Sequence, residues 1–190
     1  MRVLSYFLTH PEVTVDPGTP VEQWSLSEAG RQRAHLLSGC AWTAELTRII
    51  SSKERKAVET AAILAGGLGL DHCTDAALGE NDRSATGFLP PEEFEATADQ
   101  FFAHPDRSVR GWETAEHAQH RVLDAVRSHL ATGPGGIAFV AHGGVGTLLL
   151  CHLMGVPISR QHDQPGQGSY FAFDPERWRA IHPWRRIGES

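Results

Sequence analysis

The sequence predicts an α/β fold with a mainly parallel central sheet, and three observations carry that prediction. Short apolar runs rich in strand formers alternate with longer segments of helical periodicity. One run, Ile137 to Ala141 (IAFVA), is apolar throughout, as a strand buried on both faces should be. Two histidines, His10 and His142, each follow such a run closely, and in parallel sheets functional groups collect at the carboxyl ends of strands. The 190 residues are the size of one domain, and no linker divides them.

Taken in order, Val3 to Leu8 reads as the first strand, followed by a polar loop from Thr9 to about Trp24. Ser25-x-x-Glu28 has the form of a capping box, and a helix from about Ser27 to Ser38 follows. Thr47 to Ser51 is a second strand. Glu54 to Leu68 is a helix whose Ala57, Ala61, Leu64 and Leu68 share one face, ended by Gly66, Gly67 and Gly69. His72 to Leu78 reads as a weaker strand. The polar stretch Gly79 to Pro91 is too long and charged for a simple connector, and such loops are often functional. Helices are expected at Pro91 to Ala103, with Pro in the first turn, and at Glu113 to Ala131. Gly133 to Gly136 turns the chain into the IAFVA strand, and Val145 to Met154 reads as a buried helix. Tyr170 to Asp174 and Trp178 to His182 form a terminal hairpin around Asp174-Pro175-Glu176-Arg177.

Charge narrows the function classes. There are 17 Lys and Arg against 23 Asp and Glu, a formal net charge of -6. Such a chain lacks the basic surface of a general nucleic-acid or anionic-membrane binder. Only Lys53 and Lys56 are lysines, so anion chemistry falls to Arg, His and backbone donors at a local site. Cys40, Cys73 and Cys151 are widely spaced and form no C-x-x-C, so they read as buried thiols, with no disulfide framework or structural zinc. The N-terminal apolar run reaches His10 and Pro11 too soon for a signal peptide, and no run of about 18 apolar residues exists. A cytoplasmic protein is the expectation; the oligomeric state is not legible.

Two apparent motifs fail. Gly143-Gly144-Val145-Gly146 follows a strand, but a dinucleotide fingerprint needs glycine where Leu149 stands, and no P-loop Gly-Lys-Ser/Thr occurs. The turn still places helix N-terminal amides where an anion is favoured. His117-x-x-His120 shares a helix face with Glu113 and Glu116 nearby, but spacing alone does not make a metal site, and no metal is expected.

The ordered segments together resemble the histidine phosphatase superfamily, also called phosphoglycerate-mutase-like. The family's strand-Arg-His-Gly-Glu corresponds to Phe7-Leu8-Thr9-His10-Pro11-Glu12, and its helix start to Leu26-Ser27-Glu28-Ala29-Gly30. Ser51-Ser52-Lys53-Glu54-Arg55-Lys56-Ala57 matches a strand and helix start, with Lys56 in place of Arg. Leu78-Gly79-Glu80, Gly111-Trp112-Glu113-Thr114 with Arg121, and Val140-Ala141-His142-Gly143-Gly144 complete the series.

The resemblance implies a three-layer αβα sandwich, with a small helical insertion at about residues 80–112. It implies that His10 takes up a phosphoryl group, that Thr9, His142, Lys56 and the amides near Gly143 contact phosphate, and that Glu80 is the general acid. Asp82 stays open as an alternative acid. The implied activity is phosphatase action on a small phosphorylated compound or phosphoprotein, without a cofactor; inorganic phosphate is then a product and ligand. The alternative is a weak or inactive relative that binds a phosphorylated or anionic ligand. Thr9, Pro11 and Lys56 favour the alternative, since Lys is a point charge where a guanidinium binds bidentately. One lost charge-assisted contact costs roughly 1.5–3 kcal/mol, or about ten- to a hundredfold in rate. Arg83 and Arg160 are the candidate compensating cations. The polar run Arg160 to Gln164 is also a candidate lining of the site.

Overall fold

The computed structural model describes residues 3–189. Strands β1 (Ser5–Thr9), β2 (Leu46–Ser51), β3 (His72–Thr74) and β4 (Gly136–Ala141) run parallel, and β5 (Ser169–Asp174) lies antiparallel to β1. Two short strands, β6 (Arg179–Ala180) and β7 (Arg185–Arg186), each pair antiparallel with β5. The order across the sheet is β3-β2-β4-β1-β5-β6, with β7 also on β5.

Alternating side chains build a core on each face of this sheet. Phe7, Ile137, Phe139, Phe171 and Phe173 face one core, packed by α3 (Pro91–Ala103), α4 (Ala115–Leu130) and α5 (Gly143–Met154). Tyr6, Leu8, Ala138 and Val140 face the other, packed by α2 (Arg55–Leu68) and by Leu37, just past α1 (Glu28–His35), which itself packs on α2. The result is the three-layer α/β sandwich expected.

Register positions the histidines. β1 pairs with β4 so that Thr9 lies opposite Ala141. His10 and His142 are the next residues of two adjacent parallel strands, tied by His10 N–H to Ala141 O at 3.1 Å. On the other side of β4, Ser51 lies opposite Val140, which brings Ser52 to the same edge.

Several elements differ from expectation. The strand expected over His72 to Leu78 stops at Thr74, because the Asp75 carboxylate accepts Ala77 N–H and turns Ala76–Leu78 into a 3-10 turn. The cap of α1 is Ser27, whose Oγ accepts Gly30 N–H at 3.1 Å. A bridge between Val13 and Leu26 keeps the preceding residues extended. Gly66 and Gly67 lie inside α2, and Gly69 alone ends it. The terminal hairpin forms, but its second strand is only Arg179–Ala180, and β7 was not anticipated. Of the three thiols only Cys151 is buried; Cys73 is exposed. No helix of the described residues is long and apolar enough to cross a membrane.

Candidate active site

His10 and His142 face each other at the carboxyl edge of the sheet, with ring centroids 5.4 Å apart. Both are buried. Nδ1 of His10 lies 2.8 Å from the carbonyl of Pro11, an acceptor only. That contact places the proton on Nδ1 and leaves the lone pair on Nε2. Burial, ahead of Lys56 and Arg83, lowers the His10 pKa to about 4, so the ring is neutral near pH 7. Pro11 lacks an N–H, yet its carbonyl supplies the tautomer-fixing acceptor. His142 is likewise lowered to about 4 by burial, against the pull of Glu54 and Glu80. Its Nε2 lies 2.7 Å from Ser52 Oγ, and its buried Nδ1 has no hydrogen-bond partner.

Lys56 is at the site, but its ammonium is engaged. Nζ donates to Glu54 Oε2 at 2.5 Å and to Val21 O at 2.8 Å, and the side chain is 4% exposed. The expectation of a phosphate-binding Lys56 overlooked this partner. Glu54 Oε1 accepts Glu80 N–H at 2.9 Å and stands 3.2 Å from His142 Nε2. Burial, the largest influence on Glu54, raises its pKa. His142, Lys56 and the Glu80 amide more than reverse this and hold it at about 2.

Glu80 sits on the N-terminus of α5. Gly144 N–H donates to Oε2 at 3.1 Å and Val145 N–H to Oε1 at 3.0 Å. Gly144 permits this approach, since a Cβ there would lie 2.7 Å from Glu80 Oε1. Oε1 also takes Asn81 N–H, at 3.2 Å, so Oε2 keeps the freer lone pair. The loop carrying Glu80 is clasped by Arg121, which donates to the carbonyls of Ala77, Gly79 and Glu80 and pairs with both oxygens of Glu113. Asp82 does not share the position: it is exposed, and hydrogen bonds from Ser84 hold its pKa down, the opposite of what an acid needs.

The remaining candidates divide. The Thr9 hydroxyl is buried, donating to Gln164 Oε1 at 2.6 Å and accepting Ser169 N–H at 3.0 Å, so it orients Gln164 and has no proton left for phosphate. Gly143 is the first residue of α5, and a Cβ there would collide with Gln164 Nε2. The polar run after α5 thus lines the site through Gln164. Arg160 instead pairs with Glu95 and Asp99 of α3 and is no phosphate cation. Arg83 lies over the rings of Phe94 and Trp112, at 5.1 and 5.6 Å, close enough for its charge to be felt at His10. Nδ1 of His117 lies 2.6 Å from Glu113 Oε1, and no group of three His, Cys, Asp or Glu among the described residues is arranged to hold a metal. Sequence reading offered Gln164 only as part of the polar run and missed Glu54, Ser52 and Asn81, whose buried Nδ2 has no partner.

The profile of the histidine phosphatase superfamily (branch 1) matches residues 19–182. The chain belongs to the histidine phosphatase superfamily. The matched span contains Glu80 and His142 and begins after His10. A search of curated proteins finds no match. Among solved structures, the superfamily member is similar to a mycobacterial glucosyl-3-phosphoglycerate phosphatase, at 21% identity and TM-score 0.77, over 99% of this chain and 100% of that one. It is also similar to Bacillus stearothermophilus YhfR, at 24% identity and TM-score 0.74, over 89% of each chain. A third similar structure is a putative α-ribazole-5'-P phosphatase from Escherichia coli, at 17% identity and TM-score 0.73, over 100% of this chain and 97% of that one. The mycobacterial enzyme is also known in complex with inorganic phosphate.

Proposed function

We propose that this superfamily member is a phosphatase that hydrolyses a small phosphorylated compound, or a phosphoprotein, through a phosphohistidine at His10. The observation that carries the reading is the pairing of His10 Nδ1 with Pro11 O, which leaves Nε2 unprotonated beside His142. Nε2 attacks phosphorus, the P–O bond to the leaving group breaks, and protonated Glu80 gives its proton to the departing oxygen. Water then attacks the phosphohistidine, Glu80 takes the water proton, and the N–P bond breaks to release inorganic phosphate and free His10. The two α5 amides hold the Glu80 carboxyl in place throughout.

Charge spreads over the phosphoryl oxygens in the transition state, so positioned donors supply the stabilisation. His142 and Lys56 are the assigned donors, with Arg83 as the cation at the edge. Thr9 acts through Gln164. The neighbour phosphatases and their phosphate complex support the substrate class. A cytoplasmic location is part of the same proposal. The test is turnover of a phosphate-ester panel by wild type and by His10→Ala. Loss of activity in the variant is expected, and equal turnover by both overturns the mechanism.

A further inference from the structure

Glu54 has no part in the steps above, yet its carboxylate lies among the groups that perform them. It is the N-cap residue of α2, but its side chain makes no capping bond; Ser52 Oγ accepts the Glu54 N–H instead. The carboxylate turns into the site and touches Lys56 Nζ, the Glu80 N–H and His142 Nε2. An ammonium, a backbone amide and an imidazole are the donors that a phosphoryl group's oxygens require. In the free protein a carboxylate already holds them.

Glu54 is faced by Lys56 from α2, by Glu80 from the following loop and by His142 from the end of β4. His10 and Arg83 complete the surroundings of the histidine pair. In the free protein the charges of Lys56 and Glu54 balance each other. A phosphoryl group that takes Lys56 leaves Glu54, 12% exposed, without its partner. Stripping one member from a buried ion pair leaves an uncompensated charge, and such charges discriminate strongly between ligands. Arg83 is stacked on Phe94 and Trp112 and touches no carboxylate among the described residues, Glu54 included. A ligand that carries its own cation next to the phosphate restores the missing partner.

We propose that Glu54 determines the substrate class. The site takes phosphate monoesters bearing an ammonium or similar cation close to the phosphate, and selects against esters without one. The inference rests on the phosphatase reading for where the phosphate goes.

The test compares 2-aminoethyl and 3-aminopropyl phosphate with ethyl and propyl phosphate. Wild type is expected to favour at least one amino ester over its alkyl counterpart by about tenfold or more in kcat/KM. In Glu54→Gln the ratio falls toward one, through a gain on the alkyl esters. Equal kcat/KM for both classes in wild type overturns the inference, and so does a ratio that persists in the variant. The wild-type comparison needs no variant, so it decides alone should Glu54→Gln fail to fold. If no ester is hydrolysed, calorimetric affinities for the same four compounds give the ratio. A tenfold binding preference without turnover then supports the role of Glu54 and removes the phosphatase reading. Turnover without preference does the reverse.

Discussion

The carbonyl of Pro11, 2.8 Å from His10 Nδ1, and the two α5 amides on Glu80 are the contacts on which the proposed roles of these two side chains rest. In the proposed mechanism they separate the roles of nucleophile and acid. A general acid matters most when the leaving group is basic. Glu80→Gln keeps an acceptor for one of the two α5 amides through its carbonyl oxygen, turns an NH2 toward the other, and has no proton to give. It should lower kcat by about a hundredfold or more on an alkyl phosphate, and much less on a nitrophenyl ester. Equal losses on both substrates would assign Glu80 to structure. Glu54 shows why part of the site was hidden in the sequence. Lys53-Glu54-Arg55-Lys56 reads as a solvated charge run, and residues two apart do not meet on a helix. Glu54 and Lys56 meet because Glu54 is outside the helix, with extended backbone at φ -70 and ψ 136. The partners of the Thr9 hydroxyl were equally hidden, since Gln164 and Ser169 lie over 150 residues away.

Strands and helices whose apolar periodicity is clear were legible. β1, β2, β4 and the five helices lie where their patterns put them, within a few residues at the ends. The elements that were not legible are those fixed by single polar contacts or by pairing partners. β3 stops because of the Asp75 cap, and β7 is two residues that exist through pairing with Ser169 and Tyr170 of β5. The Arg121 clasp belongs to this scale, because it joins α4 to the loop that carries Glu80. Arg121→Ala removes three loop contacts and leaves Glu113 unpaired with it. We expect kcat to fall about tenfold or more while KM changes less, since a misplaced acid impairs the step more than binding. Arg121→Lys restores little, because an ammonium cannot span the same fan of acceptors. A fully active Arg121→Ala protein would show that the loop is held by other means.

Across the whole molecule, the parallel register of β1 and β4 brings two histidines, 132 positions apart by number, into one buried site. That pair was readable as two strand ends; its burial was not, and burial makes stability depend on pH. Each ring titrates near 6.5 when unfolded and near 4 when folded, mainly because burial disfavours the charged form. Between those values the unfolded chain binds more protons, so stability rises with pH across that window and is lost as pH falls through it. The slope is about 1.4 kcal/mol per pH unit for each histidine. Glu54, held at about 2, adds a further loss below about 4.5, its ordinary range. The melting temperature should therefore drop between pH 6.5 and 4, and a His10→Gln, His142→Gln protein should show a shallower drop. Equal slopes would deny that the pair is buried neutral. The account as a whole turns on whether His10 carries phosphate. Protein quenched during turnover should hold an acid-labile, base-stable phosphoryl group on the peptide containing His10, absent from His10→Ala. Sustained turnover by wild type with no such adduct, or an adduct on another residue, would contradict it.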